Sequence, residues 1–167
     1  MAGVIPEGEV TDKLASTIDI FPTLSYITGA PLPDLKIDGV NIFPLMVSEE
    51  GANPRQEFFY YYGVNNLEAV RSGNWKLIFP HSSRSYVGVL PGNDGWPGPY
   101  AQLKVESPEL YNLSLDPGER YNLFDAHPEI VEKLMEAGER ARADLGDGIT
   151  GAEGSGRRKP GLVEDKR

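Results

Sequence analysis

His81, Ser82, Ser83, Arg84 and Tyr86 crowd one stretch of the chain, and Trp96 and Tyr100 follow within the same Gly- and Pro-rich run. An imidazole and a guanidinium in one stretch suit the holding of an anion, with the guanidinium offering paired N–H donors. The indole of Trp96 and the phenol of Tyr100 suit stacking on the face of a sugar ring. The same residues also fit a surface loop with an incidental His and Arg, whose aromatics pack the loop onto its own domain. The residues alone leave both readings open, since loops carry specificity often but not always.

Other candidates have simpler explanations. His127 precedes Pro128 at a helix start and reads as a cap or surface residue. Asp116 and Glu119 belong to Asp116-Pro117-Gly118-Glu119, which is turn chemistry before it is a carboxylate pair. Asp19 reads as a helix-start residue, where a negative charge meets the helix dipole. Asn112-Leu113-Ser114 matches a glycosylation sequon, as many chance triplets do. The 167 residues include no cysteine, which excludes disulfides, thiolate metal sites and cysteine nucleophiles within the chain. No Asp-Asp or Asp-Asn pair offers oxygen ligands to calcium. No catalytic residue and no metal ligand is assigned.

The net charge of −9 and the absence of a basic stripe argue against nucleic acid as a partner, and Arg157-Arg158-Lys159 is too short to reverse that. An acidic chain also repels anionic substrates at long range, so any anion site must be built locally. No apolar run approaches the ~18 residues of a membrane-spanning helix. The start, Met1-Ala2-Gly3-Val4-Ile5-Pro6, lacks the basic and apolar regions of a signal peptide.

These side chains need elements to position them. Ile18, Phe21, Leu24, Tyr26 and Ile27 suit one face of a short helix to Thr28, capped by Ser16 or Thr17 and stopped by Gly29. A turn is expected at Asp38-Gly39 and a short helical turn over Ile42 to Val47. Phe58 to Tyr62 reads as a strand. Glu68 to Arg71 and Trp75 to Phe79, around Ser72-Gly73-Asn74, read as a hairpin. His81 to Gln102 reads as a loop too long for a simple turn, and Glu109 to Leu113 as a further strand. Pro128 to Leu145 carries an apolar stripe through Ile130, Val131, Leu134, Met135, Ala137, Ala141 and Leu145, the clearest amphipathic helix in the chain. Gly138 inside it costs ~1 kcal/mol against Ala. Tyr61, Val70, Leu77, Leu110, Ile130 and Leu134 are the expected core.

Order and spacing of short motifs then identify a family. Leu14-Ala15-Ser16-Thr17-Ile18-Asp19-Ile20-Phe21-Pro22-Thr23-Leu24, Gly29-Ala30-Pro31-Leu32-Pro33, Ile37-Asp38-Gly39-Val40-Asn41 and Pro44-Leu45 come first. Ala69-Val70-Arg71-Ser72-Gly73-Asn74-Trp75-Lys76-Leu77, Glu109-Leu110-Tyr111-Asn112-Leu113, Asp116-Pro117-Gly118-Glu119 and Asn122-Leu123 follow. Over about residues 4 to 146 this series resembles the C-terminal portion of sulfatases, in the arylsulfatase A and N-acetylgalactosamine-6-sulfatase branch.

The resemblance implies an α+β architecture: a four-stranded antiparallel sheet with a packed C-terminal helix, preceded by a remnant of an alkaline-phosphatase-like α/β domain. Residues 1–54 would be that remnant, 55–146 the C-terminal subdomain and 147–167 a flexible tail. Sulfatases cleave sulfate esters with a formylglycine made from Cys or Ser in a Cys/Ser-x-Pro/Ala-x-Arg motif, beside an Asp-rich calcium site. Here Ser107-Pro108-Glu109 has its proline one place early and no arginine after it. Lys13 falls downstream of the family's last catalytic lysine. The resemblance therefore implies a sulfuric ester hydrolase segment that is inactive without an N-terminal catalytic domain, with calcium as the cofactor of the whole enzyme. The implied partners are a sulfated aryl or glycan substrate, and either that N-terminal domain or a second copy of the chain. The alternative is a non-catalytic sulfated-glycan binding module using residues 81–102, through His81, Arg84, Tyr86, Trp96 and Tyr100. Family members are commonly periplasmic, secreted or lysosomal.

Overall fold

The computed structural model describes residues 3–158. The chain forms two compact units, Met1–Phe58 and Phe59–Arg167.

In the first unit a 3-10 turn, Thr17–Asp19, leads into helix α1, Ile20–Thr28, which ends at Gly29 with a left-handed φ of 72°. Helix α2, Phe43–Met46, lies further along. The buried side of α1 is not the apolar one: Pro22, Thr23 and Ser25 are buried, as is Asp19 just before them, while Ile18, Phe21 and Leu24 are 44%, 54% and 52% exposed. Hydrogen bonding explains the inversion. The Asp19 carboxylate accepts from the backbone N–H of Ser16 and of Val40, both at 2.9 Å, and from Nε of Arg55 at 2.8 Å. Arg55 Nη2 also meets Asp19 Oδ1, and donates to the Asp38 carbonyl at 2.9 Å. Thr23 Oγ1 donates to the Asp19 carbonyl at 2.6 Å and accepts from Ile42 N at 2.9 Å. Burial alone would raise the Asp19 carboxyl, but the Arg55 guanidinium and the two backbone donors outweigh it and hold the group below the usual carboxylate range. Asp19 is thus more than a helix-start residue; it ties α1 to residues 38–55.

The second unit is built on a four-stranded sheet in the order β1-β2-β3-β6, where β1 is Glu57–Tyr62, β2 Asn66–Ser72, β3 Trp75–Ile78 and β6 Glu109–Asn112. Strands β2 and β3 form the expected hairpin, with Val70 opposite Leu77. Strand β6 pairs antiparallel to β3, with Leu77 opposite Leu110, so those three apolar side chains line one face. A separate two-stranded ribbon, β4 (His81–Ser85) and β5 (Ala101–Val105), is inserted between β3 and β6.

Helix α3, Pro128–Leu145, packs on β2 and β3. Leu67, Val70, Leu77, Phe79 and Leu110 are buried together with Val131, Leu134, Ala137 and Ala141, and Tyr61 and Ile130 are partly buried against them. This α+β arrangement is the one implied by the resemblance. Gly138, a liability for the helix by propensity, has a packing reason: a Cβ there would meet Phe79 Cζ at 2.6 Å. The Arg142 guanidinium lies over the Phe79 ring, 4.4 Å from its centroid.

The helix end is held down by polar contacts. Arg142 Nε donates to Asp147 Oδ2 at 2.9 Å, and Asp147 Oδ1 accepts from the N–H of Leu67 and of Ile149. Burial pushes the Asp147 carboxyl up, but Arg142 and those backbone donors prevail and leave it lowered. Tyr61 Oη donates to the Gly146 carbonyl at 2.8 Å; burial, with the nearby Asp147 charge, pushes this phenol up to about 12. The first part of the stretch expected as a tail makes backbone hydrogen bonds back to the helix, Ser155 N to the Ala143 carbonyl and Gly156 N to that of Asp144. Residues 159–167 of that stretch lie outside the described residues. Asp116-Pro117-Gly118-Glu119 is a turn: Asp116 accepts from Glu119 N, Arg120 N and Tyr121 N, and Glu119 pairs with Lys76 at 2.7 Å.

The Gly138 contact makes a sharp prediction. Gly138→Ala should destabilise the protein by about 1–3 kcal/mol through overpacking against Phe79, although helix propensity alone favours Ala by ~1 kcal/mol. Phe79→Leu should relieve part of that cost in the double variant. Urea unfolding reads both, and a stabilised Gly138→Ala protein would show that the contact is not limiting.

Candidate substrate-binding arm

The ribbon forms from an unpromising sequence, because His-Ser-Ser-Arg-Ser lacks the β-branched residues typical of strands. Its register is nonetheless regular: His81 faces Val105, Ser82 Lys104, Ser83 Leu103, Arg84 Gln102 and Ser85 Ala101. The long connection read from sequence is therefore an arm, two paired strands closed by residues 86–100. Within that tip Gly92 and Gly98 approach each other's backbone so closely that a Cβ on either has no room.

The five residues singled out from sequence do not all meet. Arg84, Tyr86 and Tyr100 do: the Arg84 guanidinium lies 4.8 Å from the Tyr100 ring centroid, and Tyr86 meets the same ring edge-on at 6.4 Å. Cation–π contact of this kind fixes the plane of the guanidinium while leaving its edge free to donate. Tyr86 is 62% and Tyr100 44% exposed, so the cluster faces solvent. Trp96 is in the tip and 79% exposed.

His81 sits apart from Arg84 at the root of the arm, an odd number of residues away and so on the opposite face of the ribbon. Its Nδ1 is 2.7 Å from the Phe79 carbonyl oxygen. A carbonyl only accepts, so Nδ1 carries the proton. Nε2 lies 3.3 Å from Glu68 Oε2, in a place where the two side chains are 10% and 14% exposed. Glu68 Oε1 is buried with no hydrogen-bond partner. His81 thus serves first to fasten the arm to strand β2. It also borders an open pocket of about 400 Å³ with Asn66, Ser82, Lys104 and Ile149. Glu68 was not visible as a partner in the sequence, where it reads as an ordinary strand residue 13 positions from His81.

His127 occupies the position before α3, with its ring 4.8 Å from that of Trp75 and Nδ1 3.6 Å from Glu129 Oε1. Among the described residues no three His, Cys, Asp or Glu side chains come together to hold a metal ion.

An antiparallel sheet backed by a single helix, with a ribbon arm inserted before its last strand, defines an α+β subdomain of a particular kind. Residues 53–153 match the family of the C-terminal region of aryl-sulfatase, and the chain belongs to the sulfatase family through that region. It is 36% identical over 138 residues to arylsulfatase A from Homo sapiens, covering 76% of this chain and 26% of that protein. It is 32% identical over 141 residues to N-acetylgalactosamine-6-sulfatase from Sus scrofa, covering 79% and 26%. The crystal structure of the PsFucS1 sulfatase from Pseudoalteromonas sp. shares the fold with a TM-score of 0.60 at 22% identity, over 84% of this chain and 28% of that one. The chain spans about a quarter of the length of the curated relatives it matches.

Removing the His81 ring would leave Glu68 buried and unpaired. His81→Ala should cost about 1–3 kcal/mol, and Glu68→Leu combined with His81→Leu should recover most of it. Urea unfolding is the measurement, and a His81→Ala protein within about 0.5 kcal/mol of the parent, the usual range for surface changes, would refute the clamp.

Proposed function

We propose that this chain serves as the C-terminal part of a sulfuric ester hydrolase of the arylsulfatase kind, and that it contributes to sulfate-ester hydrolysis only together with an N-terminal catalytic domain. The observation that carries this reading is the match of residues 53–153 to the C-terminal region of aryl-sulfatase. The sequence itself holds no cysteine and no formylglycine motif, so the nucleophile and the calcium site of such an enzyme come from outside these residues.

In this reading residues 1–54 are the last piece of the catalytic α/β domain, and the exposed Ile18, Phe21 and Leu24 of the first unit form a face that the rest of that domain covers. Apolar side chains grouped in this way mark an interface more often than a free surface; without the domain, the same face favours self-association. The arm then meets the substrate, a sulfated aryl compound or sugar. Arg84 supplies a fixed, charged donor edge for a sulfate or carboxylate, Tyr86, Tyr100 and Trp96 supply ring faces, and His81 holds the root of the arm. A second reading has its own observation: the Arg84, Tyr86 and Tyr100 cluster is exposed and complete within this chain, which also suits a non-catalytic module for sulfated glycans.

A chromogenic aryl sulfate separates the readings. The purified chain should show no turnover, and turnover should appear on coexpression with a sulfatase N-terminal portion bearing the Cys/Ser-x-Pro-x-Arg motif. Activity that follows the lone chain through several columns would contradict the proposal. Glycan binding without any turnover in the coexpressed pair would favour the binding module.

A further inference from the structure

The two faces of the ribbon differ. Side chains at directly paired positions share a face, so Ser82, Arg84, Gln102 and Lys104 lie on one and His81, Ser83, Ser85, Ala101, Leu103 and Val105 on the other. All four residues of the first face are exposed, whereas five of the six on the second are half-buried. The outward face therefore consists of two cations and two neutral hydrogen-bonding side chains. Residues 81–105 hold two cations, Arg84 and Lys104, and one acidic residue, Asp94, for a formal charge of +1 in a chain of −9. The register puts Arg84 and Lys104 on diagonal neighbours, whose Cβ atoms lie roughly 7–8 Å apart. Tyr100 lies under the Arg84 guanidinium and adds a ring beside the first cation.

From this placement we infer that the outward face of the arm, Ser82, Arg84, Gln102 and Lys104, is a track for an anionic oligosaccharide. Arg84 and Lys104 each meet a different sulfate or carboxylate of one sugar chain, and Tyr100 packs against a ring between or beside them. The inference rests on the reading of the arm as substrate-facing and makes that reading narrower, since a substrate that engages both cations must carry at least two anionic groups. A small aryl sulfate reaches one of them. Charge complementarity selects the occupant: the chain as a whole is acidic and repels a polyanion at long range, whereas the arm carries a net positive charge, and substitutions on the arm separate its contribution from that of Arg157-Arg158-Lys159. Lys104 has a competitor, Glu106, whose Oε1 lies 3.3 Å from Nζ, with the two side chains 70% and 77% exposed. So exposed a pair is worth little and yields readily to a better anion.

Glu106 also gives the test its opposite sign. Calorimetric titration of the full chain with a chondroitin sulfate tetrasaccharide at low salt should give binding that weakens as salt is raised. Arg84→Gln with Lys104→Gln should weaken it about tenfold, the sum of two exposed charge contacts, while Glu106→Gln should tighten it by about twofold. The desulfated tetrasaccharide should bind at least about tenfold more weakly than the sulfated one. All three positions are exposed, so urea midpoints should be unchanged. Affinity unaltered in the double variant, or weakened by Glu106→Gln, would overturn the track, and so would inorganic polyphosphate binding as tightly as the tetrasaccharide. The sulfatase reading stands or falls separately, because its assay uses a substrate with a single sulfate, too short to bridge the two cations.

Discussion

Helix α3 has to lie close against strands β2 and β3, and most of the second unit follows from that approach. Leu67, Val70, Leu77 and Leu110 are fully buried only because Leu134, Ala137 and Ala141 cover them. A sheet face of this kind left in water would forgo about 1.5–3 kcal/mol for each large apolar side chain. The approach is possible because the helix presents small residues, Ala137, Gly138 and Ala141, where the Phe79 ring comes nearest. Arg142 then closes over the same ring and reaches Asp147, whose other oxygen accepts from Leu67 N at the start of β2. Packing and polar contacts therefore pin the same helix end to the same strand. The arm follows directly from the C-terminal end of β3, and so starts from this packed base.

The first unit is organised on a different principle. Its centre is an ion pair, Asp19 with Arg55, satisfied on every side by backbone groups from residues 16, 38 and 40. A buried charge is tolerated only when so fully partnered. The cost is that the apolar side of α1 points outward, which a short helix accepts when something else covers that side.

Much of this was legible in the residues, for physical reasons. The span of α3 followed from an apolar stripe of helical period, and the β2–β3 hairpin from a Gly-Asn turn between apolar strands. Periodicity reports local geometry well. It reports little about pairings between distant residues. Arg55 lies 36 positions from Asp19, so Asp19 looked like nothing more than a capping acid. For α1 the apolar period gave the helix, but the hydrogen bonds that hold its other side, through Asp19 and Thr23, have no periodic signature in the sequence. The arm was hidden for a third reason: a serine-rich strand has little β-propensity, and its partner comes after 15 intervening residues. The aromatic and basic residues of that stretch stood out, but their division between two faces depended on the register. Gln102 and Lys104 emerged only with it.

On the proposed reading, this segment of a sulfatase presents a charged, aromatic-bearing ribbon to a sulfated substrate while the bond-breaking groups lie elsewhere. The most direct test is kinetic. A sulfatase assembled from this chain and a family N-terminal portion would be compared with one in which residues 86–100 are replaced by a short turn, using an aryl sulfate and a sulfated oligosaccharide in parallel. Aryl sulfate kcat/KM should stay within about threefold and oligosaccharide kcat/KM should fall at least about tenfold, the pattern of lost substrate binding away from the reacting bond. Unchanged kinetics on both substrates, in a folded shortened protein, would contradict it.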